Sequence, residues 1–299
     1  METSKGIRYI ILSGLSFFVV NFMVKILGGN STLFDGMEFQ KYGAHELVFF
    51  RSIISFTISA YIVKKRNLPF FGNNKKWLIV RGMAGVTALT IFFFTLQNLP
   101  LAIAATVQYL SPIFTVILTV MVLKEKVLKA QWIFIISAFS GVVLIGVNNL
   151  INEGEITLDT TWLLLGVVSA FFAGIAYLAI IKLKHTDSPI NIVMYFPMLA
   201  LPITGVWCLY DFVMPKGWEW FILLFIGIFT QIAQILMTKA LHATDTARVV
   251  PFKYLGAIYA LLVGWFVFDE RLNFILILGI VLIVFSVVAN ALYQYKAKA

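Results

Sequence analysis

The stretch Ala102-Ile-Ala-Ala-Thr-Val-Gln108-Tyr109-Leu110 returns 145 residues later as Ala247-Arg-Val-Val-Pro-Phe-Lys253-Tyr254-Leu255. The same shift sets Glu125-Lys126 on Glu270-Arg271 and Leu96 on Leu241. Apolar matches alone carry little weight, because any two membrane helices look alike. A polar residue followed by Tyr-Leu, with an acid-base pair further on in both copies, carries more. Outward from this pair, the mostly apolar runs predict ten spans, near 7–27, 44–63, 77–97, 101–122, 130–148, 161–182, 190–213, 218–239, 247–268 and 273–292. Five spans per copy is an odd number, so the two copies enter the membrane from opposite sides. The expected architecture is an all-α membrane protein of ten transmembrane helices in two inverted five-helix repeats, 1–150 and 151–299.

Composition agrees. Of the 299 residues, 61% are apolar and 12% charged, where a soluble domain carries roughly 25% charged residues. One soluble core cannot hide so much apolar surface, which excludes a soluble enzyme. The runs do not alternate apolar and polar residues, as a membrane barrel requires. The net charge of +9 gathers in the connections. With the N-terminus in the cytoplasm, sixteen Lys and Arg fall inside and four outside, with Arg51, Arg81 and Lys253 left within spans. This bias predicts that both termini are cytoplasmic. The only cysteine, Cys208, lies in an apolar run and reads as an inert thiol. The three histidines have no metal-ligand spacing, and Phe49 stands where a zincin helix starting at His45 needs its second His. No metal and no cofactor are expected.

Several segments carry a resemblance. Glu46-Leu-Val-Phe-Phe-Arg51-Ser, Leu110-Ser-Pro112, Leu123-Lys-Glu125-Lys, Gly227-Ile-Phe-Thr-Gln231-Ile-Ala-Gln234, Met237-Thr-Lys239-Ala-Leu241, Val250-Pro-Phe-Lys253-Tyr254-Leu255 and Phe268-Asp-Glu270-Arg-Leu272, in this order, resemble the EamA-type drug/metabolite transporters. The resemblance implies a carrier of small organic metabolites that works by alternating access without ATP hydrolysis. The chain has no G-x-x-x-x-G-K-[ST] phosphate loop, in keeping with that. One departure is that Ser111-Pro112 of the first copy faces Gly256-Ala257 in the second, where Pro251 is the nearby helix breaker.

The substrate candidates are the polar residues that these spans place inside the bilayer. Arg51 lies about 10 Å within its span, where a cation costs roughly 2.5–3.5 kcal/mol on insertion scales. It reads as the lining of a polar cavity or as half of an ion pair. Glu46, five residues away and about 140° around the helix, is a poor partner for it along one face. Lys253 takes the place of Gln108 in the second copy, and each precedes a tyrosine, Tyr254 and Tyr109. Lys253 either faces a shared cavity or snorkels to the surface. Gln231 and Gln234 share a helix face, suited to a polar ligand or to a neighbouring helix. Glu46 is the candidate proton site, against a plain interfacial role, and Arg81 is assigned to the headgroups. More cations than acids within the spans favour an anionic or zwitterionic cargo.

A membrane-embedded enzyme acting on lipid or isoprenoid substrates, or a helical scaffold, is the alternative reading. The chain lacks the clustered Asp, His or Cys that such an enzyme wants at a membrane face, and the repeat and the intramembrane cations speak against a scaffold. The expected partners are a small-molecule substrate and the lipid bilayer, with no nucleic acid and with homo-oligomer formation left open. The expected location is the cytoplasmic (inner) membrane of a bacterium. Topology is testable with Cys208 replaced: K65C is expected to react with an impermeant thiol reagent only from the cytoplasmic side and K216C only from the other. Labelling of both from one side refutes the assignment.

Overall fold

The computed structural model describes residues 2–28, 39–123, 129–146, 159–243, 255–270 and 272–297, and these contain helices and no strand. We number the helices α1 (Glu2–Gly28), α2 (Ala44–Lys65), α3 (Lys75–Asn98), α4 (Leu101–Gln108), α5 (Ser111–Leu123), α6 (Lys129–Gly146), α7 (Thr160–Leu183), α8 (Pro189–Cys208), α9 (Glu219–Ala243), α10 (Leu255–Phe268) and α11 (Phe274–Ala297). Among the described residues, seven helical stretches are long and apolar enough to cross a membrane, with α4 and α5 together forming one of them, Leu101–Val122. Shorter apolar stretches lie in α6, α10 and α11. Exposed apolar side chains such as Ile133, Ile136 and Phe285 cover the outer faces, as a hydrocarbon solvent demands.

Local chemistry sets the boundaries. The helix begun at Leu101 turns at Tyr109-Leu110 and restarts at Ser111, with Pro112 in the first turn, where its missing N–H costs nothing. The run expected to reach residue 213 ends as helix at Cys208, where the ladder tightens to i+3 bonds, Leu209 N–H to the Val206 carbonyl at 3.2 Å and Tyr210 N–H to that of Trp207 at 3.0 Å, and the Val213 N–H is taken by Glu46. Between α2 and α3, Gly72 adopts φ 61°, a conformation open to a residue without Cβ. Asp187, ahead of α8, accepts the N–H groups of Asn73 at 2.6 Å and Asn74 at 3.1 Å, fastening that turn.

The helix contacts come in exchanged pairs. We count α1, α2, α3, α4–α5 and α6 as one series and α7, α8, α9, α10 and α11 as the other. The first of each series packs on the third of the other (α1 with α9, α7 with α3), while the second, fourth and fifth pack on their own counterparts. Hydrogen bonds repeat the exchange. Ser13 Oγ donates to the Ala233 carbonyl at 2.8 Å, and Ser169 Oγ donates to the Ala88 carbonyl at 2.7 Å. Ala88 and Ala233 are separated by the same 145 residues that relate the two motifs. The longer connection after α1 absorbs the different spacing of the two serines.

Where lipid surrounds the bundle, hydrophobicity alone does not hold helices together, and close packing through small residues takes over. Between α6 and α11, a Cβ on Gly141 would meet the Gly279 carbonyl at 2.8 Å, and one on Gly279 would meet the Gly141 carbonyl at 2.9 Å. Ser286 donates to Ser137 across the same seam at 2.8 Å. Gly141→Val therefore overpacks a backbone-to-backbone contact and is expected to destabilise the protein by about 1–3 kcal/mol, read as a lowered melting temperature in detergent. A valine tolerated without loss would mean that the two helices separate easily.

Candidate substrate cavity

A cavity of about 140 Å³ opens at mid-height of the bundle, where Phe17 of α1, Ala88 of α3 and Ala173 of α7 line it. Its polar lining comes from helices of both series: Asn21, Arg51, Arg81, Gln108, Tyr109, Tyr177 and Gln234.

Arg51 is 1% exposed and is the largest fully buried side chain among the described residues. Its guanidinium carbon sits 5.6 Å from the centre of the Phe93 ring and 5.0 Å from that of Phe196. The two π faces stabilise the cation, yet Nε and Nη2 have no hydrogen-bond partner. Arg81, 3% exposed, also lies in the cavity wall rather than at the headgroups where its sequence position put it. Two features draw it inward. Gly85, one turn on, leaves room for its guanidinium, since a Cβ there would meet Arg81 Nη1 at 2.4 Å. The second is Gln234, whose Oε1 accepts from Arg81 Nη2 at 3.2 Å, while Arg81 Nε stays unpartnered. The sequence signal was a charge inside an apolar run with small residues along one face.

The remaining candidates separate. Gln108 lines the cavity and stands 3.0 Å from Ser169 Oγ. Tyr109 lines it at the α4–α5 turn, its hydroxyl against Gly256. Gln231 does not line the cavity: its Nε2 donates to Ser59 Oγ at 2.7 Å and ties α9 to α2. Lys253 and Tyr254 lie outside the described residues. Glu46 is buried at the start of α2, away from the cavity lining. Its carboxylate accepts the N–H of Gly43 at 2.7 Å and that of Val213, capping the helix and holding the connection that follows α8. Among the described residues no ion pair joins it to Arg51.

A second cluster joins the two series at one end of the bundle. Glu270 Oε1 accepts the Leu101 N–H at 2.8 Å, at the start of α4, where the helix dipole favours an anion. Lys25 of α1 stands 3.6 Å from that oxygen and donates to the Leu99 carbonyl at 2.6 Å. Burial raises the Glu270 carboxyl above its ordinary range, while Lys25 and the α4 N–H groups pull it back down. Both residues lie at the ends of predicted spans, Lys25 in 7–27 and Glu270 between 247–268 and 273–292. Nothing local announces a pair so distant in the chain.

A shell of apolar helices around a polar internal cavity, shared by two exchanged series of helices, is the build of a membrane solute carrier. The sequence pattern of the EamA-like transporter family matches residues 4–147 and 160–292, and the chain belongs to that family. It is 28% identical over 290 residues to the pseudopaline exporter of Pseudomonas aeruginosa, covering 95% of each chain. It is 30% identical over 222 residues to the riboflavin transporter of Vibrio cholerae, covering 74% of this chain and 72% of the relative. The S-adenosylmethionine uptake transporter of Rickettsia prowazekii is 23% identical over 270 residues, covering 89% of this chain and 85% of the relative. A crystal structure 17% identical in sequence superposes with a TM-score of 0.67 over 99% of both chains, which shows the fold. The protein is thus an integral membrane transporter of small molecules, not an enzyme.

The Lys25–Glu270 cluster gives a signed prediction. The folded chain holds the Glu270 proton more tightly than the unfolded one. Its contribution to stability is therefore full below the ordinary carboxylate range and declines as pH rises through the raised value. In melting-temperature series against pH, E270Q is expected to abolish that decline. K25M, which leaves the carboxylate without its cation, is expected to extend the decline to higher pH and to cost about 3–5 kcal/mol at neutral pH. A slope unchanged by E270Q assigns the titration to another group.

Proposed function

We propose that this transporter moves a small anionic or zwitterionic organic solute by alternating access between two inverted five-helix repeats, 1–150 and 151–299, with ten spans and both termini in the cytoplasm. The observation that carries the charge preference is the pair Arg51 and Arg81. Both are buried and line one cavity, both keep unpartnered guanidinium nitrogens, and among the described residues no acid lines that cavity or pairs with either. A buried charge without a counter-charge is expensive; a solute acid supplies the missing partner, through charge-assisted and often bidentate hydrogen bonds.

The exchanged helix contacts and the matched serine bonds support the inverted repeat. In that repeat Lys253 and Tyr254 correspond to Gln108 and Tyr109, and the proposal gives them the same cavity. Glu46 keeps its place as the candidate proton site, although its engagement with two backbone N–H groups supports an anchoring role as the second reading. Relatives are named for an exporter, a riboflavin transporter and an uptake transporter, so kinship leaves cargo and direction open. A bacterial inner membrane fits the bacterial relatives.

The test is solute flux in proteoliposomes. Organic acids and amino acids are expected to compete for transport, organic cations to have no effect, and Arg51→Gln to cut flux by about 100-fold, the worth of a charge-assisted hydrogen-bond pair. Lys253→Met is expected to reduce flux with membrane insertion intact. Full competition by cations, with acids inert, refutes the charge assignment.

A further inference from the structure

The two guanidiniums do not sit at one level of the bundle, and this narrows the cargo. Arg51 is seven residues from the start of α2, about 10 Å along it, and Arg81 is six residues from the start of α3, about 9 Å along it. A nine-residue link, 66–74, joins the two packed helices into a hairpin, so their starts lie at opposite ends. On a helix of 22 residues, about 33 Å long, the two backbone positions are then roughly 14 Å apart along the bundle. The Arg81 side chain climbs one turn toward Gly85, which closes part of the gap, and the two charges come near enough to repel.

The two cations are also held by different devices, Arg51 by Phe93 and Phe196 and Arg81 by Gln234. Each presents its own unpartnered nitrogens. The same cavity is lined by apolar and aromatic side chains, Phe17, Leu89 and Phe92 among them, beside the neutral polar ones. A solute with a single carboxylate satisfies one guanidinium and leaves the other buried and unpaired.

We propose that the cargo is a two-headed acid, carrying two anionic groups several ångströms apart on an apolar or aromatic connecting segment, one group bound by Arg51 and the other by Arg81. This rests on the anionic reading above and specifies its substrate class. One acid on each guanidinium also cancels the repulsion between the two cations, which a monoacid at either position does not.

The test is the thermal stability of the purified full-length protein titrated with dicarboxylates from malonate to suberate, with monocarboxylates of matched chain length, and with inorganic phosphate. A ligand that binds only the folded state raises the melting temperature by mass action. Dicarboxylates of one intermediate length are expected to bind about tenfold or more tightly than their monocarboxylate counterparts. R51Q and R81Q are each expected to reduce the diacid to monoacid strength, while R51K and R81K keep the charge and control for folding. The wild-type comparison decides the matter even where a variant fails to fold. Equal binding of mono- and dicarboxylates overturns the two-headed cargo and leaves an anionic one. Phosphate binding as tightly as the best diacid also overturns it, in favour of one compact dianion. If no acid of any kind stabilises the protein, the anionic reading itself falls.

Discussion

The constraint on which this molecule turns is the cost of a cation in a medium without water. A guanidinium keeps its charge under almost any surroundings, so burial cannot silence Arg51 by deprotonation as it can a carboxyl group. The surroundings must compensate instead, and here they do so in part. Phe93 and Phe196 offer ring faces to Arg51, and Gln234 offers one acceptor to Arg81, while other nitrogens are left open. A purely structural arginine is ordinarily satisfied in full, because an incomplete set of partners wastes stability. Partial satisfaction is what a binding site requires, since a cation already neutralised by a protein carboxylate gains little from an incoming acid.

The rest of the fold holds that arrangement open. Cavity walls drawn from both series of helices need seams that are strong without relying on water exclusion. The chain supplies them with small residues and hydroxyl bonds in matched places: Gly141 against Gly279, Ser13 on Ala233 and Ser169 on Ala88. The seams also position the site. Ser169, which fastens α7 to α3, stands beside Gln108 in the cavity wall, so the same hydroxyl serves packing and lining.

The periodic and compositional features were legible in sequence. Apolar runs gave the helices, the 145-residue shift recurs between Ala88 and Ala233 at the two serine bonds, and Ser111-Pro112 marked the turn between α4 and α5. Arg51 stood out because it lay deep in a run. Arg81 did not, because a cation six residues inside a helix can point to either the headgroups or the interior. The choice is made by Gly85 and by Gln234, the latter 153 residues away. Gln231 and Gln234 show the same limit from the other side. Shared helical spacing suggested one role for both, but 60° or so of rotation between them sends one to Ser59 of α2 and the other to the cavity. Glu46 carried a readable signal, an acid three residues after the glycine that precedes its helix, and its carboxylate indeed reaches back to that N–H.

The short helix α4 connects these observations. At one end, the Leu101 N–H is gripped by Glu270, itself beside Lys25; at the other, Gln108 and Tyr109 line the cavity, with Tyr109 against Gly256 of α10. Leu101 belongs to both places, since it lines the cavity as well. A carrier that alternates its access needs an element whose position both the cargo and the closure of one end can bias. Eight residues anchored by a charge cluster at their start, and ending in the cavity wall at a helix break, have that geometry. The break at Tyr109-Leu110 removes the rigid continuity of a full-length span. In the proposed carrier, cargo beside Gln108 and Tyr109 would touch the same short helix that Glu270 holds at its far end.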